Sequence, residues 1–442
     1  MYGIEDKILA ISFSLIIALL AAGVRRFAGT FFIPAGIFAL SWFAFTIFPL
    51  VILFEVPINS LSILYILLAV LAFCTSALPF NWKFAIRKNL LKSMSAARFD
   101  SQFLKLSLYF SMISSIALSI LTMTINGFTI NQVVFNLLQT SGQYAATRGT
   151  DGVEYGIIGV LGLMFTYLCP VLGGLRSFAA KRKWFFAVSM VPSLFTMVIQ
   201  SSKLVFLISL FFYLSGAIVA RIYAGQLRLP NISGLPKVIA GSAIFIPLIL
   251  VSFVSRLGEF DPSNISSIIE PLLFSLYSYT LGQVYAFADF FAYTIGSSSN
   301  SPFEDEYYSM GAYTFASIFD MLGIGKEFPP GMYNESGAHL EVFRTNIFTF
   351  FRGLIYDFGV VGSIIFIFIF GLFCHFITYY VLIRTRAWFL ISIFIAILVF
   401  IFMGYLFSVF VARYMFLNAA VVWALLSLNA LQRQKTHTTP NH

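Results

Sequence analysis

Apolar runs long enough to cross a bilayer as helix, about 20 residues each, recur along the whole chain. They fall near 8–24, 31–54, 61–80, 104–125, 156–174, 185–200, 204–222, 238–255, 360–382, 388–406 and 413–430. Short polar or turn-rich pieces separate them. The pattern predicts an all-α fold: a polytopic membrane helix bundle of about 11 transmembrane helices, or up to 13 if a further apolar stretch crosses. The whole of 1–442 reads as a single transmembrane domain. The first run is not expected to be a cleaved leader. Glu5 and Asp6 precede it and Arg25-Arg26 follow it, the reverse of the usual charge order.

Two interruptions are long. The first, 126–155, carries Thr140-Ser141-Gly142-Gln143-Tyr144 and Arg148-Gly149-Thr150-Asp151-Gly152. The second, 255–357, is roughly 100 residues, too long to be structureless in a compact protein. Within it the aromatic stretch 268–296 reads as one or two helices, lying on the membrane surface, dipping into it or crossing it. The following section, 296–335, is polar and turn-rich and predicts a folded cap or flap.

Charge placement orients the chain. Of the 27 Lys and Arg residues, 19 fall in one alternating set of loops that holds a single acid, Asp100. The other side keeps 8 basic and 17 acidic residues. Basic loops stay in the cytoplasm, which puts the N-terminus and both long interruptions outside, in the periplasm of a bacterial inner membrane, and the C-terminus inside. The net charge of +9 is therefore a topology signal, and no nucleic-acid partner is expected. Only 10% of residues are charged, against about 25% in soluble domains. Cys74, Cys169 and Cys374 lie inside spans without a CxxC pair, so neither a disulfide nor a cysteine metal site is expected.

Cations on the outer side run against the orientation bias and need a reason: Arg148, Lys203, Arg256, Lys326, Arg344, Arg352 and Arg413. Local ion pairs are one, with Asp151 and Glu154 near Arg148 and Glu341 three residues before Arg344. The other is recognition of an anion, because guanidinium groups grip phosphate through paired hydrogen bonds. Lys203 sits in the short outer turn Ser201-Ser202-Lys203, and Arg256 closes the next outward-going span. If 344–352 is helical, Arg344 and Arg352 lie about 80° apart around its axis and roughly 12 Å along it. Both would then line one side of a cleft.

His339 is the outer histidine and a candidate proton acceptor, and Glu341 is a second. The trio Glu304-Asp305-Glu306 reads as a solvated acidic turn or a hard-cation site. Asp357-Phe358-Gly359 spells a kinase triad, but no glycine-rich nucleotide loop or catalytic loop accompanies it. Gly156, Gly159 and Gly162 form a stripe suited to close helix packing.

The segment 344–362, RTNIFTFFRGLIYDFGVVG, resembles the signature of bacterial O-antigen polymerases, the oligosaccharide repeat-unit polymerases. Its matching positions are Thr349, Tyr356-Asp357-Phe358-Gly359 and Gly362. The turn Ser201-Ser202-Lys203 and the layout of spans with a large late periplasmic loop are similar too, although many members carry Arg where this chain has Lys203. The resemblance implies a membrane-embedded, metal-independent glycosyltransferase without cofactor. It would polymerise undecaprenyl-pyrophosphate-linked oligosaccharide units into O-antigen or capsular polysaccharide, with a chain-length-determining co-polymerase as a further partner. Arg344, Arg352, Lys203 and Arg256 would face the pyrophosphate, and Arg148 and Tyr356 the sugar or second donor. His339, Glu341 or Asp357 would take the acceptor's proton. The competing readings are an O-antigen ligase, with the same donor, and a polysaccharide-lipid flippase or other transporter.

Overall fold

The computed structural model describes residues 2–92, 96–150, 156–180, 184–227, 266–296, 303, 309–324, 333, 335–339, 342–384 and 386–438. The expected span at 238–255, Arg256, Lys326, Glu341, the trio 304–306 and the Arg148 side chain lie outside what it describes.

The chain is helical, as its apolar periodicity requires. Among the described residues seven helices are long and apolar enough to cross a membrane: α1 (Ile4–Ala28), α2 (Pro34–Ile52), α5 (Gln102–Ile125), α8 (Gly156–Ala179), α10 (Lys203–Tyr223), α14 (Phe350–Ile383) and, over Arg413–Gln434, α16 (Arg413–Thr438). Three expected spans are shorter apolar helices of 16 residues: α3 (Ser60–Thr75), α9 (Trp184–Ile199) and α15 (Trp388–Met403). Each is below the about 20 residues a straight crossing takes. This is the makeup of a multi-pass membrane protein.

Smaller helices fill the connections: α4 (Trp82–Lys92), α6 (Ile130–Phe135), α7 (Leu137–Thr150), α11 (Ser266–Thr280), α12 (Gly282–Thr294) and α13 (Ala316–Met321). Between 130 and 150 the first long interruption is thus helical. The stretch 268–296 is two helices of 15 and 13 residues, neither long enough to cross by itself. A two-stranded antiparallel hairpin joins β1 (Gly337–His339) to β2 (Phe343–Thr345).

The chain divides into two compact units. The first comprises 1–84, 261–379 and 400–412; the second comprises 85–260, 380–399 and 413–442.

In the first unit, α1, α2 and α3 pack together, and α12 lies against α2 and α3. Both ends of α2 are closed by side chains from distant positions. At its start the Ala35 amide, which has no partner within the helix, donates to His375 Nε2 at 3.1 Å. The His375 proton is thereby placed on Nδ1, which donates to Ser76 Oγ at 3.0 Å. At its end the Leu53 carbonyl accepts from Lys7 Nζ at 3.0 Å and from Tyr285 Oη at 2.8 Å. A buried ammonium at a helix C-terminus is stabilised by the negative end of the dipole.

In the second unit α8 packs against α5, α9, α10 and α16. Ser115 on α5 bonds Thr166 on α8 at 2.6 Å, and Ser119 bonds Thr196 on α9 at 3.0 Å. Such hydroxyl pairs satisfy polar groups where lipid offers none. In the glycine stripe Gly162 packs closely, a Cβ there lying 3.3 Å from Leu118 Cβ. The tighter approach is further along α8. A Cβ on Gly173 would strike Ser189, and one on Gly174 would strike the Tyr213 carbonyl oxygen.

Within α14, Gly359 departs from helical geometry, with φ 70° and ψ 174°. Glycine alone occupies that region readily. The apolar run expected to begin at 360 thus starts just after this break, and Phe350–Phe358 is a separate piece carrying Arg352 and Asp357. Gly359→Ala is expected to destabilise the first unit by about 1–3 kcal/mol, read as a lower Tm in detergent micelles. An unchanged Tm would mean that the break carries no strain.

Candidate functional site

The segment 344–362 is not one helix. Arg344 lies on β2, residues 346–349 are irregular, and helix begins at Phe350. The helical spacing expected for Arg344 and Arg352 therefore does not apply. The physical reason is β-pairing: Ala338 sits opposite Arg344 and His339 opposite Phe343.

Because neighbouring strand positions face opposite ways, the hairpin sorts the candidates. Arg344 points to the exposed face, while Phe343 and Thr345 are buried. His339 shares the buried face. Its ring lies 6.1 Å from that of Tyr285 and 5.5 Å from that of Phe343, and its Nε2 has no hydrogen-bond partner. Burial, and secondarily the Lys7 charge, hold the His339 imidazole below its ordinary value near 6.5. A histidine that resists protonation when folded costs stability as pH falls below about 6.5, where the unfolded chain takes up the proton first. Wild type should therefore lose more Tm between pH 7.5 and pH 5.5 than His339→Gln does. Parallel losses would show that His339 does not titrate unfavourably.

Arg352 is 1% exposed. Its Nη2 donates to Glu335 Oε2 at 3.0 Å and to Tyr356 Oη at 3.1 Å. Five rings surround the guanidinium: Tyr333 at 3.8 Å, Phe348 at 4.2 Å, Phe290 at 5.0 Å, Phe303 at 5.1 Å and Tyr356 at 5.3 Å. Desolvated cation–ring contacts are worth about 2 kcal/mol or more each at best. Nε and Nη1 have no oxygen partner. Burial raises the Tyr333 hydroxyl above its usual range and keeps it neutral. The adjoining cavity, lined by Tyr313, Thr314, Tyr333, Thr349, Gly353 and Ser408 among others, is about 10 Å³, roughly the room one water needs.

One turn further along, the Asp357 carboxylate is wholly buried and accepts four hydrogen bonds. They come from the Ser309 hydroxyl, the Tyr313 amide at 3.0 Å, the Thr314 amide at 2.8 Å and the Thr314 hydroxyl at 2.5 Å. Asp357 thus fastens the 309–314 turn to the start of α14. Ser408 Oγ donates to the Thr314 carbonyl at 2.8 Å, and Ser317 Oγ to the Phe410 carbonyl at 2.6 Å, so the segment after α15 closes the same turn.

Of the sequence candidates, Arg344, Arg352, His339, Tyr356 and Asp357 belong to this first unit. Lys203 opens α10 in the second unit, half-buried after the turn that follows α9. Among the described residues no group of three or more His, Cys, Asp or Glu side chains is placed to hold a metal ion. Sequence reasoning missed Glu335, Ser309, Thr314 and Lys7. A partial signal existed for the ring box, since Phe348, Arg352 and Tyr356 are spaced by four, the separation of helical neighbours.

Comparison with known proteins returned no matching family model, no matching curated protein and no matching solved structure.

Proposed function

We propose that the chain is a membrane-embedded glycosyltransferase of the bacterial inner membrane. Its substrates are undecaprenyl-pyrophosphate-linked oligosaccharide repeat units, which it polymerises at the periplasmic face into O-antigen or capsular polysaccharide. The observation that carries the reading is the pair of arginines in the polymerase-like segment 344–362: Arg344 exposed on β2, and Arg352 buried with two nitrogens unengaged by oxygen.

In this reaction the bond from the anomeric carbon to the pyrophosphate oxygen breaks, and the acceptor hydroxyl oxygen bonds to that carbon. The hydroxyl proton passes to a base, and negative charge collects on the leaving diphosphate. Fixed cations facing that charge lower the barrier. Arg344 meets it directly from the exposed face. Arg352 joins by exchanging the Glu335 carboxylate for phosphate oxygens, which requires the Tyr333–Glu335 segment to move, since the cavity at rest admits no more than a water. The four donors on Asp357 leave it a fastening role, and His339 faces away from Arg344. Glu341, between the two strands in sequence, is the remaining candidate for the proton.

Arg344→Ala tests the reading cleanly, because truncating an exposed strand residue changes stability by no more than about 0.5 kcal/mol. The variant should accumulate at wild-type level and extend no chains, leaving lipopolysaccharide capped with single repeat units. Full-length polymer from Arg344→Ala sinks the assignment. Loss of all capping, with lipid-linked polymer accumulating, would instead mark a ligase.

A further inference from the structure

A second cationic cluster lies within the second unit, on residues given no role above. Arg98, Arg386, Trp388, Asn429 and Arg433 line a cleft of about 500 Å³, within the range of small-molecule sites. Arg98 stands in a 3-10 turn (Ala96–Phe99) just before α5, Arg386 just before α15, and Arg433 near the end of α16. All three come from the basic set of loops, and each sits where an apolar helix ends. Trp388, the first residue of α15, is an aromatic residue at that same level, as is common at a membrane–water interface.

Three arginines around one cleft repel each other. Burial lowers the Arg98 pKa first, and Arg386 and Arg433 lower it further. The Asp100 carboxylate of these loops bonds Arg176 at 2.9 Å, and Arg433 donates to the Asp100 backbone oxygen at 3.4 Å. Asn429 adds an independent observation. It is 3% exposed, its Nδ2 donates to the Arg98 carbonyl at 3.1 Å, and its Oδ1 is buried without a partner. A buried amide oxygen in that state lacks a donor. Next to the cleft the helix surface is apolar and exposed, with Leu428 at 49% and Leu431 at 56%.

We infer that this cleft binds the phosphodiester headgroup of an anionic glycerophospholipid, the arginines holding the phosphate and Asn429 Oδ1 a headgroup hydroxyl. The acyl chains run along the Leu428–Leu431 face. Free inorganic phosphate shares the anionic chemistry but has no use for that face, and a basic pocket between helix ends on the cytoplasmic side is a suitable lipid site.

The test is native mass spectrometry of the full chain released from detergent, with phosphatidylglycerol, phosphatidylethanolamine or inorganic phosphate added. Arg386→Gln and Arg433→Gln are compared with wild type and with Arg384→Gln, an exposed arginine outside the cleft. Phosphatidylglycerol should bind in preference to phosphatidylethanolamine, and each cleft variant should weaken it by roughly fivefold, the scale of one basic residue at an anionic surface. Arg384→Gln should match wild type. Because Arg386 is exposed, its variant is expected to fold and keeps the test decisive if Arg433→Gln does not. Equal binding of both lipids, unchanged binding in Arg386→Gln, or phosphate adducts that displace phosphatidylglycerol would each overturn the proposal.

Discussion

Asp357→Ala is expected to collapse the first unit's loop cap, at a cost of more than about 3 kcal/mol. The substitution leaves two buried amides and two hydroxyls without their acceptor, and each such orphan costs about 1–3 kcal/mol. Asp357→Asn offers one oxygen and a competing NH2 group, so it should recover only part of that loss. The readout is the rate of proteolysis within 309–324 together with Tm in detergent. Both variants should be cut faster than wild type, Ala more than Asn. If Asp357→Asn keeps wild-type stability but makes no polymer, the carboxylate has a chemical role beyond fastening the turn.

Arg352→Ala is the second large effect. Removing one member of a buried pair strands the other, at about 3–5 kcal/mol, and the ring box around 352 loses the cation it surrounds. The single variant should therefore fall in abundance as well as activity, so it cannot separate folding from catalysis. Arg352→Met combined with Glu335→Leu removes both charges and keeps apolar volume, an exchange that is often neutral. The double variant should accumulate normally and still extend no chain, because the guanidinium that meets the diphosphate is gone. Normal polymer from it would show that the pair is only a fastening, leaving Arg344 as the cation of the site.

How far the site was legible follows from the kind of interaction involved. Arg352 stood out as a cation on the wrong side of the charge pattern, and Asp357-Phe358-Gly359 stood out by its letters. Their partners did not. Glu335 lies 17 residues before Arg352 in a turn-rich stretch, and Ser309 lies 48 before Asp357. Neither separation has a periodicity to read. Lys7 was hidden for another reason. It sits in the first turn of α1 beside two acids, a place where a solvated lysine is unremarkable, yet it closes the end of α2.

The helical pattern of 344–352 failed because strand pairing to 337–339 overrode local preference. Short segments take their conformation from what they pack against. Of the glycine stripe read as packing at 156–162, Gly162 packs closely while a Cβ at Gly156 would meet nothing within 4 Å, and α8 approaches its neighbours more tightly at Gly173 and Gly174, which no local rule ranks above the others.

The sequence by itself determined that the chain is a bundle of apolar helices, where most of them run, and that an unusual set of cations lies outside the basic loops. Those properties are local: a lipid-facing helix must be apolar over its own length, and each residue reports that separately. Only the tertiary structure decided that Arg344 is exposed while Arg352 is boxed and paired, that His339 turns inward, and that α2 is closed by Lys7 and His375. Those outcomes depend on which distant segments meet. Burial makes each unpaired polar group expensive, so packing selects the partners, and chain order does not record the choice.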